Sequence, residues 1–383
     1  MAVVYAASAA PIPLYSTYRQ LMGLSGAIFS LAAAVYFAGT IIALLMFARL
    51  SNHLGRRPVV LATLGLAAVG CLIFFHIENE SGLLIGRFIQ GLACGLASST
   101  ITAYVVDNAP ASPVWLGAAV ISGAPNIGLA VGALASGALK QYGSGSLSLI
   151  FGILIAVLAA CAVLIAVGPE TVTRKRGVIA SVVPQIRVPK NIRYLLPAAG
   201  ATFVGAWSIG GFYQAFSSSM AAEQLGTTNA VAAAVVLDSL IVPIAIGGAL
   251  VGRLKADRAQ RVGMSAYLLS MVMLLISLKA GAMGPFLIAS LCVGLTQGAA
   301  FTGSMRRLLD NTSQQDRAGV LSAIYLISYS GAAVPNLIVG WISGFSSFFA
   351  IAIGYGVLVA VAWLITMIAG HAKQPVCPTR QLS

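Results

Sequence analysis

Apolar runs of about twenty residues, the length that carries an α-helix across some 30 Å of hydrocarbon, recur a dozen times along this chain of 383 residues. The runs fall at 1–20, 25–48, 59–77, 82–106, 115–139, 146–167, 195–222, 228–252, 262–279, 285–306, 318–342 and 347–369. Only 8% of the residues are Asp, Glu, Lys or Arg, against roughly 25% in soluble globular proteins. So few charges cannot cover a water-soluble fold of this size, which excludes a soluble enzyme, a nucleic-acid binder and a disulfide scaffold together. Forty-one glycines spread through the runs suit close helix packing in lipid. An all-α, polytopic membrane protein with twelve transmembrane helices is expected.

The first span is the least regular. It begins at Met1 with no flanking positive charge, and Pro11 and Pro13 interrupt its second half. Either the chain starts tight against the membrane or further residues precede it. Lacking a basic leader, it is not expected to carry a cleavable signal peptide. Cys71, Cys94, Cys161 and Cys292 lie inside apolar runs and read as buried thiols, with Cys377 in the tail.

The net charge of +13 is explained by where it sits. Assigning loops to alternate sides places eighteen Lys and Arg residues on one side, Arg187, Lys373 and Arg380 among them, and only Arg19, Lys140 and Lys279 on the other. Arg87 is left inside a span. By the positive-inside rule both termini are expected to be cytoplasmic, in an inner (plasma) membrane. The charge orients the protein against the lipid bilayer and needs no nucleic acid.

The segment 169–194 is the only long polar connection and divides six spans from six. Sliding one half over the other by 203 residues sets Gly91 on Gly294, Gly95 on Gly298 and Asp107 on Asp310, and Arg49 falls on Arg253 at a nearby offset. Residues 1–168 and 195–370 therefore read as two pseudo-symmetric six-helix bundles, 169–194 as a cytoplasmic central loop and 371–383 as a cytoplasmic tail. Duplicated halves are the architecture of alternating-access transporters, whose substrate site lies near the midplane between them.

Three local motifs carry a resemblance to a family. The loop ARLSNHLGRRPVVL at 48–61 resembles the G-x-L-x-D-x-x-G-R-R signature of the major facilitator superfamily, matching at Leu50, Gly55, Arg56 and Arg57. Ala48 stands in place of its first glycine and Asn52 in place of its acid. Arg87-Phe88-Ile89-Gln90-Gly91 is similar to the R-x-x-Q-G motif of that superfamily's proton-coupled drug efflux members. Residues 128–137 resemble their antiporter motif, with Ala133 for its proline and Ser136 for one glycine. The resemblance implies the major facilitator fold, with spans 3, 6, 9 and 12 at the lipid periphery. It also implies that Arg87 faces a cavity and assists proton transfer.

Two charges lie well inside spans, where each costs on the order of 2.5–3.5 kcal/mol at the helix centre. Asp238 in span 8 sits near the midplane, and its carboxyl is a candidate carrier of protons; the alternative is a structural hydrogen bond to a neighbouring helix. Arg87 in span 4 shares a face with Gly91, Cys94, Ser98 and Thr102, read as a cavity lining; the alternative is an arginine that snorkels to the interface. In the 48–57 loop, Arg56 and Arg57 are placed to pair with Asp107 and so form a gate with Gly55 and Asn52, where Asn52 permits only a neutral hydrogen bond. Simple positive-inside topology is the competing explanation for those arginines.

Polar and aromatic residues on the inner spans supply the candidate substrate cavity. They are Tyr15, Tyr18, Tyr36, Gln90, Asn126, Trp207, Tyr213, Gln214, Gln297, Tyr325 and Asn336. For each alone, helix–helix packing explains it equally well; as a set they describe an apolar, aromatic cavity with few fixed charges. The glycine pairs Gly91/Gly95, Gly294/Gly298, Gly128/Gly132 and Gly340/Gly344 are expected to let helices approach closely. Among the three histidines there is no metal-ligand spacing, and no Walker sequence occurs, so neither a metal nor another cofactor is expected.

The sequence thus points to a secondary active transporter, not an enzyme: a proton-coupled antiporter exporting small amphipathic or lipophilic molecules as a monomer. An uptake symporter or facilitator for a small metabolite is the nearest alternative. A transport-silent sensor or degenerate copy is the alternative of another class.

Overall fold

The computed structural model describes residues 1–369 except 111, 113, 114, 144, 145, 185, 187, 314 and 315. Arg187 and the tail, with Lys373, Cys377 and Arg380, lie outside the described residues. Among those described, every regular element is helical, and eleven helices are long and apolar enough to cross a membrane. The first crossing, α1, is not one helix but two, Ala2–Ala9 and Tyr15–Met22, joined by a 3-10 turn at Ile12–Leu14. Proline has no N–H, so Pro11 cannot bond the carbonyl of Ala7, nor Pro13 that of Ala9. The helix breaks there.

The remaining crossings are α2 Gly26–Phe47, α3 Arg56–Phe75, α4 Glu80–Asp107, α5 Trp115–Tyr142, α6 Leu147–Val167, α7 Lys190–Gln224, α8 Ala230–Leu250, α9 Ala256–Lys279, α10 Met283–Asp310, α11 Arg317–Ile342 and α12 Phe348–Ala369. Helices α3 and α9 start earlier than hydropathy indicates, at Arg56 and Ala256 in place of 59 and 262. Their charged first turns are helical but not apolar, and Gly55 at φ 100° terminates the preceding turn. The face carrying the central loop is called the loop face here, and the opposite one the far face.

Close approach follows the glycines, and it repeats between the halves. A side-chain carbon at Gly91 on α4 would run into the carbonyl of Tyr36 on α2, and one at Gly298 on α10 into that of Ile244 on α8. The pair at Gly340 and Gly344 does not behave as expected, because Gly344 meets nothing; it lies just beyond the end of α11, where no partner helix reaches. Of the spans expected at the periphery, α6 is the least buried, at 17%. Helix α5 departs from its expected central place with 28% buried. One of its faces packs on α1 and α8 through Gly128, Gly132 and Gly137; the other, with Ile127 and Val131, is left open.

Candidate functional site

A cavity of about 650 Å³ lies between the halves at the loop face. Leu44 and Leu45 of α2, Arg49 just beyond its end, and Ser98 and Ser99 of α4 form one wall, and Tyr325 and Tyr329 of α11 belong to the other. Two stretches of that first wall, Ala43–Phe47 and Ala97–Ile101, are π turns. The extra residue in such a turn re-aims the side chains beyond it, which is why π turns gather at functional sites. The cavity ends near Ser98, whose hydroxyl shares a short hydrogen bond with the Tyr5 hydroxyl, and at Tyr329, whose ring meets Trp207 at 4.4 Å.

Three turns farther along α4, about 16 Å away, Arg87 is wholly buried. It does not snorkel. Its Nη1 donates to the carbonyl of Ser8 at 2.5 Å and to Gln90 Oε1 at 3.0 Å, and its Nη2 to Gln214 Oε1 on α7 at 3.0 Å. The Tyr36 ring lies 4.4 Å below the guanidinium. Gln90 Nε2 donates to the carbonyl of Ala7 at 2.7 Å. The broken helix explains this geometry: Pro11 leaves the Ala7 carbonyl without its donor, the turn leaves Ser8 likewise, and Gln90 and Arg87 supply the missing bonds. A guanidinium suits the task because its planar fork reaches several oxygens at once. Among the described residues no carboxylate neutralises Arg87, and its Nε has no partner.

Asp238 on α8 is 7% exposed, and neither carboxyl oxygen has a hydrogen-bond partner among the described residues. Arg87 and Asp238, singled out together from the sequence, are not bonded to each other; the arginine's hydrogen-bond partners are on α1, α4 and α7.

The far face is closed by contacts that cross between the halves. Arg19 Nη1 pairs with Glu223 Oε1 at 2.6 Å and Nη2 donates to Ser219 at 2.9 Å. Ser30 donates to the Asn336 carbonyl at 2.6 Å, and Ser218 to that of Ile12 at 2.8 Å. Glu223 stands in a third π turn, Met220–Gln224.

At the loop face the hydrogen bonds and ion pairs among the described residues stay within one half or join a half to the central loop. Arg56 Nε pairs with Asp107 at 2.9 Å, and Arg56 Nη1 donates to Asn52 Oδ1 at 2.6 Å. Arg57 contributes its backbone N–H, which bonds Glu170 at 3.1 Å. Glu170 also accepts the N–H groups of Arg56, Thr171 and Val172 at 2.8, 3.0 and 3.1 Å. Burial opposes its charge, but these four donors together hold the Glu170 carboxyl below the usual glutamate range. Gly55 is required on two counts, its positive φ and the Glu170 carboxylate lying where a Cβ would be. The loop is further tied by Arg49 Nη2 to the carbonyls of Ser181 and Val183.

The other residues chosen from the sequence are dispersed. Of the eleven cavity candidates, Tyr325 lines the cavity, and Trp207 stands behind Tyr329. Tyr36, Gln90 and Gln214 belong to the Arg87 cluster. Tyr15 stacks on Phe29 and Tyr18 on Phe74, both fully buried. Tyr213 bonds Ser290 at 2.7 Å, and Asn336 serves the far-face closure. Among the described residues Gln297 is buried with its oxygen unpartnered, and Asn126 donates to the Ser122 carbonyl at 3.5 Å. Sequence reasoning missed Arg49, Tyr329, Glu170, Arg19 and Glu223 as site residues. Arg19 carried a signal, as one of only three cations on its side.

Helices gathered in two pseudo-symmetric six-membered bundles, with a cavity between them open to one face, are the architecture of a membrane transporter. The sequence profile of the Major Facilitator Superfamily matches residues 1–334, and the chain belongs to that superfamily. It is similar to the human organic anion transporter MFSD10 (TETRAN), with a TM-score of 0.66 at 15% identity over 95% of this chain and 96% of that one. The multidrug resistance protein MdtL of Klebsiella pneumoniae subsp. pneumoniae is 38% identical over 76 residues, covering 20% of this chain and 19% of that protein. The proton myo-inositol cotransporter hmit-1.1 of Caenorhabditis elegans is 35% identical over 66 residues, covering 17% and 11%. These matches span a fifth or less of the length of the two relatives.

Proposed function

We propose that this transporter exports small amphipathic or lipophilic molecules in exchange for protons, working as a monomer in the plasma (inner) membrane. The bundles 1–168 and 195–370 rock about the cavity, joined by the loop 169–194. The loop face is cytoplasmic, a reading supported by the eighteen-to-three distribution of basic residues. The observation that carries the reading is a buried guanidinium with no counter-ion among the described residues, solvated by neutral oxygens from both halves. Such a group is costly, and a charge kept there favours a role in the transport cycle. Asp238, whose carboxyl oxygens are unbonded in this state, is the carrier that loads and unloads the proton as access alternates. The partial likeness to MdtL supports export.

Hydroxyls of Ser98, Ser99, Ser322, Tyr325 and Tyr329 on the cavity wall favour a second reading, uptake of a polyhydroxylated metabolite, in keeping with the likeness to the inositol cotransporter. One assay separates the two. Cells without their own efflux pumps, expressing this chain, should accumulate less of a fluorescent lipophilic cation, and a protonophore should erase the difference. Accumulation unaffected by expression would sink export and direct the work to uptake of labelled polyols, hexoses and nucleosides.

A further inference from the structure

Helices α11 and α12 are joined by a turn at 343–347 and both pack against α7, yet they hardly touch each other. Between them runs a groove of about 240 Å³, walled by Pro335, Ile338 and Ile342 of α11 and by Ala350, Gly354 and Leu358 of α12. Ile338, Ala350 and Gly354 are exposed, so the groove opens sideways to lipid. A side-chain carbon at Gly354 would meet nothing. Leu358 lies ten residues from Phe348, the far-face end of α12, or about 15 Å. That is half of the ~30 Å thickness of the hydrocarbon, so the groove has the depth of one leaflet.

Its far-face end is not apolar. Ser346 and Ile351 line both the groove and the far-face vestibule, a space of about 320 Å³. The vestibule holds one cation and one anion, Arg19 and Glu223, with the hydroxyls of Ser219 and Ser343. Trp341, 84% exposed near the end of α11, marks the level of the lipid headgroups, where tryptophan gathers. The joined spaces are polar at that level and apolar through the leaflet beneath, which is the profile of a phospholipid. In the wall of the groove Tyr355 is 2% exposed, and its hydroxyl has no partner among the described residues. A buried hydroxyl calls for an acceptor, and hydrocarbon supplies none.

We propose that groove and vestibule together bind one zwitterionic phospholipid of the far-face leaflet, with an acyl chain between α11 and α12 and the headgroup beside Arg19 and Glu223. Arg19 faces the phosphate and Glu223 the ammonium. A net-neutral pair selects a net-neutral head over an anionic one, and an ester carbonyl of the lipid accepts from Tyr355. The site is separate from the cavity at the loop face and does not depend on what the transporter carries.

Photo-crosslinking in nanodiscs tests it. Phosphatidylethanolamine and phosphatidylglycerol probes, each with a diazirine on one acyl chain, are diluted separately into phosphatidylcholine. Adducts are mapped by peptide mass spectrometry and counted against those on α6, whose surface is mostly open to lipid. The ethanolamine probe should label 335–358 severalfold above that reference. Gly354→Leu fills the groove without displacing anything and should return labelling to the reference, whereas Gly284→Leu on α10, which also faces open space, should leave it unchanged. Tyr355→Phe should lower labelling about two- to tenfold, the worth of one hydrogen bond. Glu223→Gln leaves Arg19 without its counter-charge and should shift the preference toward phosphatidylglycerol about two- to fivefold, the range of a partly exposed charge pair. Labelling at the reference level, labelling indifferent to either Gly354→Leu or Tyr355→Phe, or a headgroup preference unmoved by Glu223→Gln overturns the proposal. So does displacement of the probe by the lipophilic cation of the efflux assay, which would make the groove a passage for cargo.

Discussion

The two faces of this transporter are held by different kinds of contact. At the far face, side chains from one half bond the other directly: Arg19 to Glu223 and Ser219, Ser30 to Asn336, and Ser218 to Ile12. At the loop face Arg56 pairs with Asp107 within the first half, and Glu170 of the central loop accepts the N–H groups of Arg56 and Arg57, which ties that half to the loop. Closure in one place is therefore a matter of inter-half bonds that must break. Openness in the other is compatible with a well-ordered rim, because that rim belongs to one half. The Arg87 cluster sits between the two faces and shares features of both: it repairs the break in α1 within its own half and reaches Gln214 in the other.

The largest effect should come from that cluster. Arg87→Met leaves the Ser8 carbonyl and the oxygens of Gln90 and Gln214 unbonded, at about 1–3 kcal/mol for each buried group that stays unsatisfied. Thermal unfolding in detergent should show a clear loss, and protonophore-sensitive efflux should vanish. Arg87→Lys should recover part of the stability, since a compact ammonium lacks the planar spread with which the guanidinium reaches these oxygens; a variant with Met as stable as the parent would show that the cluster holds nothing. Next in size is the helix contact beneath it. Gly91→Ala forces a methyl against the Tyr36 carbonyl and should cost about 1–3 kcal/mol, whereas Gly344→Ala, facing open space, should fall within about 0.5 kcal/mol of the parent. The same unfolding measurement compares them, and equal effects would contradict the packing described.

A smaller effect is expected at the far-face latch. Arg19 and Glu223 are 35% and 40% exposed, so their pair should be worth under about 1 kcal/mol and should weaken with salt. Labelling of Ser346→Cys, in the far-face vestibule, by a membrane-impermeant maleimide should rise in Glu223→Gln and, in the parent, in high salt. A rise with salt in the variant as large as in the parent would mean that another ion pair holds this face. The smallest effect belongs to the loop-face rim. Glu170 is bound as the carboxylate, with its pKa depressed in the folded state. Its contribution is therefore present above the unfolded pKa and is lost as pH falls through the lower, folded value. Trypsin cleavage at Arg174–Arg176 should accelerate modestly in Glu170→Gln at neutral pH. In the parent it should be unchanged from neutral pH down to the ordinary glutamate range, which a digestion series checks up to the acid limit of the protease.

Much of the architecture was legible because it is written along single helices. Apolar length marks the crossings after the first, and glycine spacing anticipated the contacts of Gly91 and Gly298. The Pro11 and Pro13 pair marked an irregular first span. What its break would do was not legible: hydropathy does not show that the freed carbonyls of Ala7 and Ser8 face Gln90 and Arg87. Gly344 shows the opposite failure, since a spacing that permits close approach does not supply the helix to be approached.

By itself, the sequence determined the number and apolar character of the crossings, the six-plus-six repeat, the asymmetry of positive charge and the presence of two ionisable residues inside the membrane. All of these follow from the composition of each segment against the thickness of a bilayer. The tertiary structure alone decided that Arg87 is solvated by a broken helix, that Asp238 lacks a hydrogen-bond partner in this state, and that Arg19 finds Glu223 204 residues away. Those outcomes depend on the register and crossing of one helix against another, set by where small residues let backbones approach, and that information belongs to pairs of segments and to no segment alone.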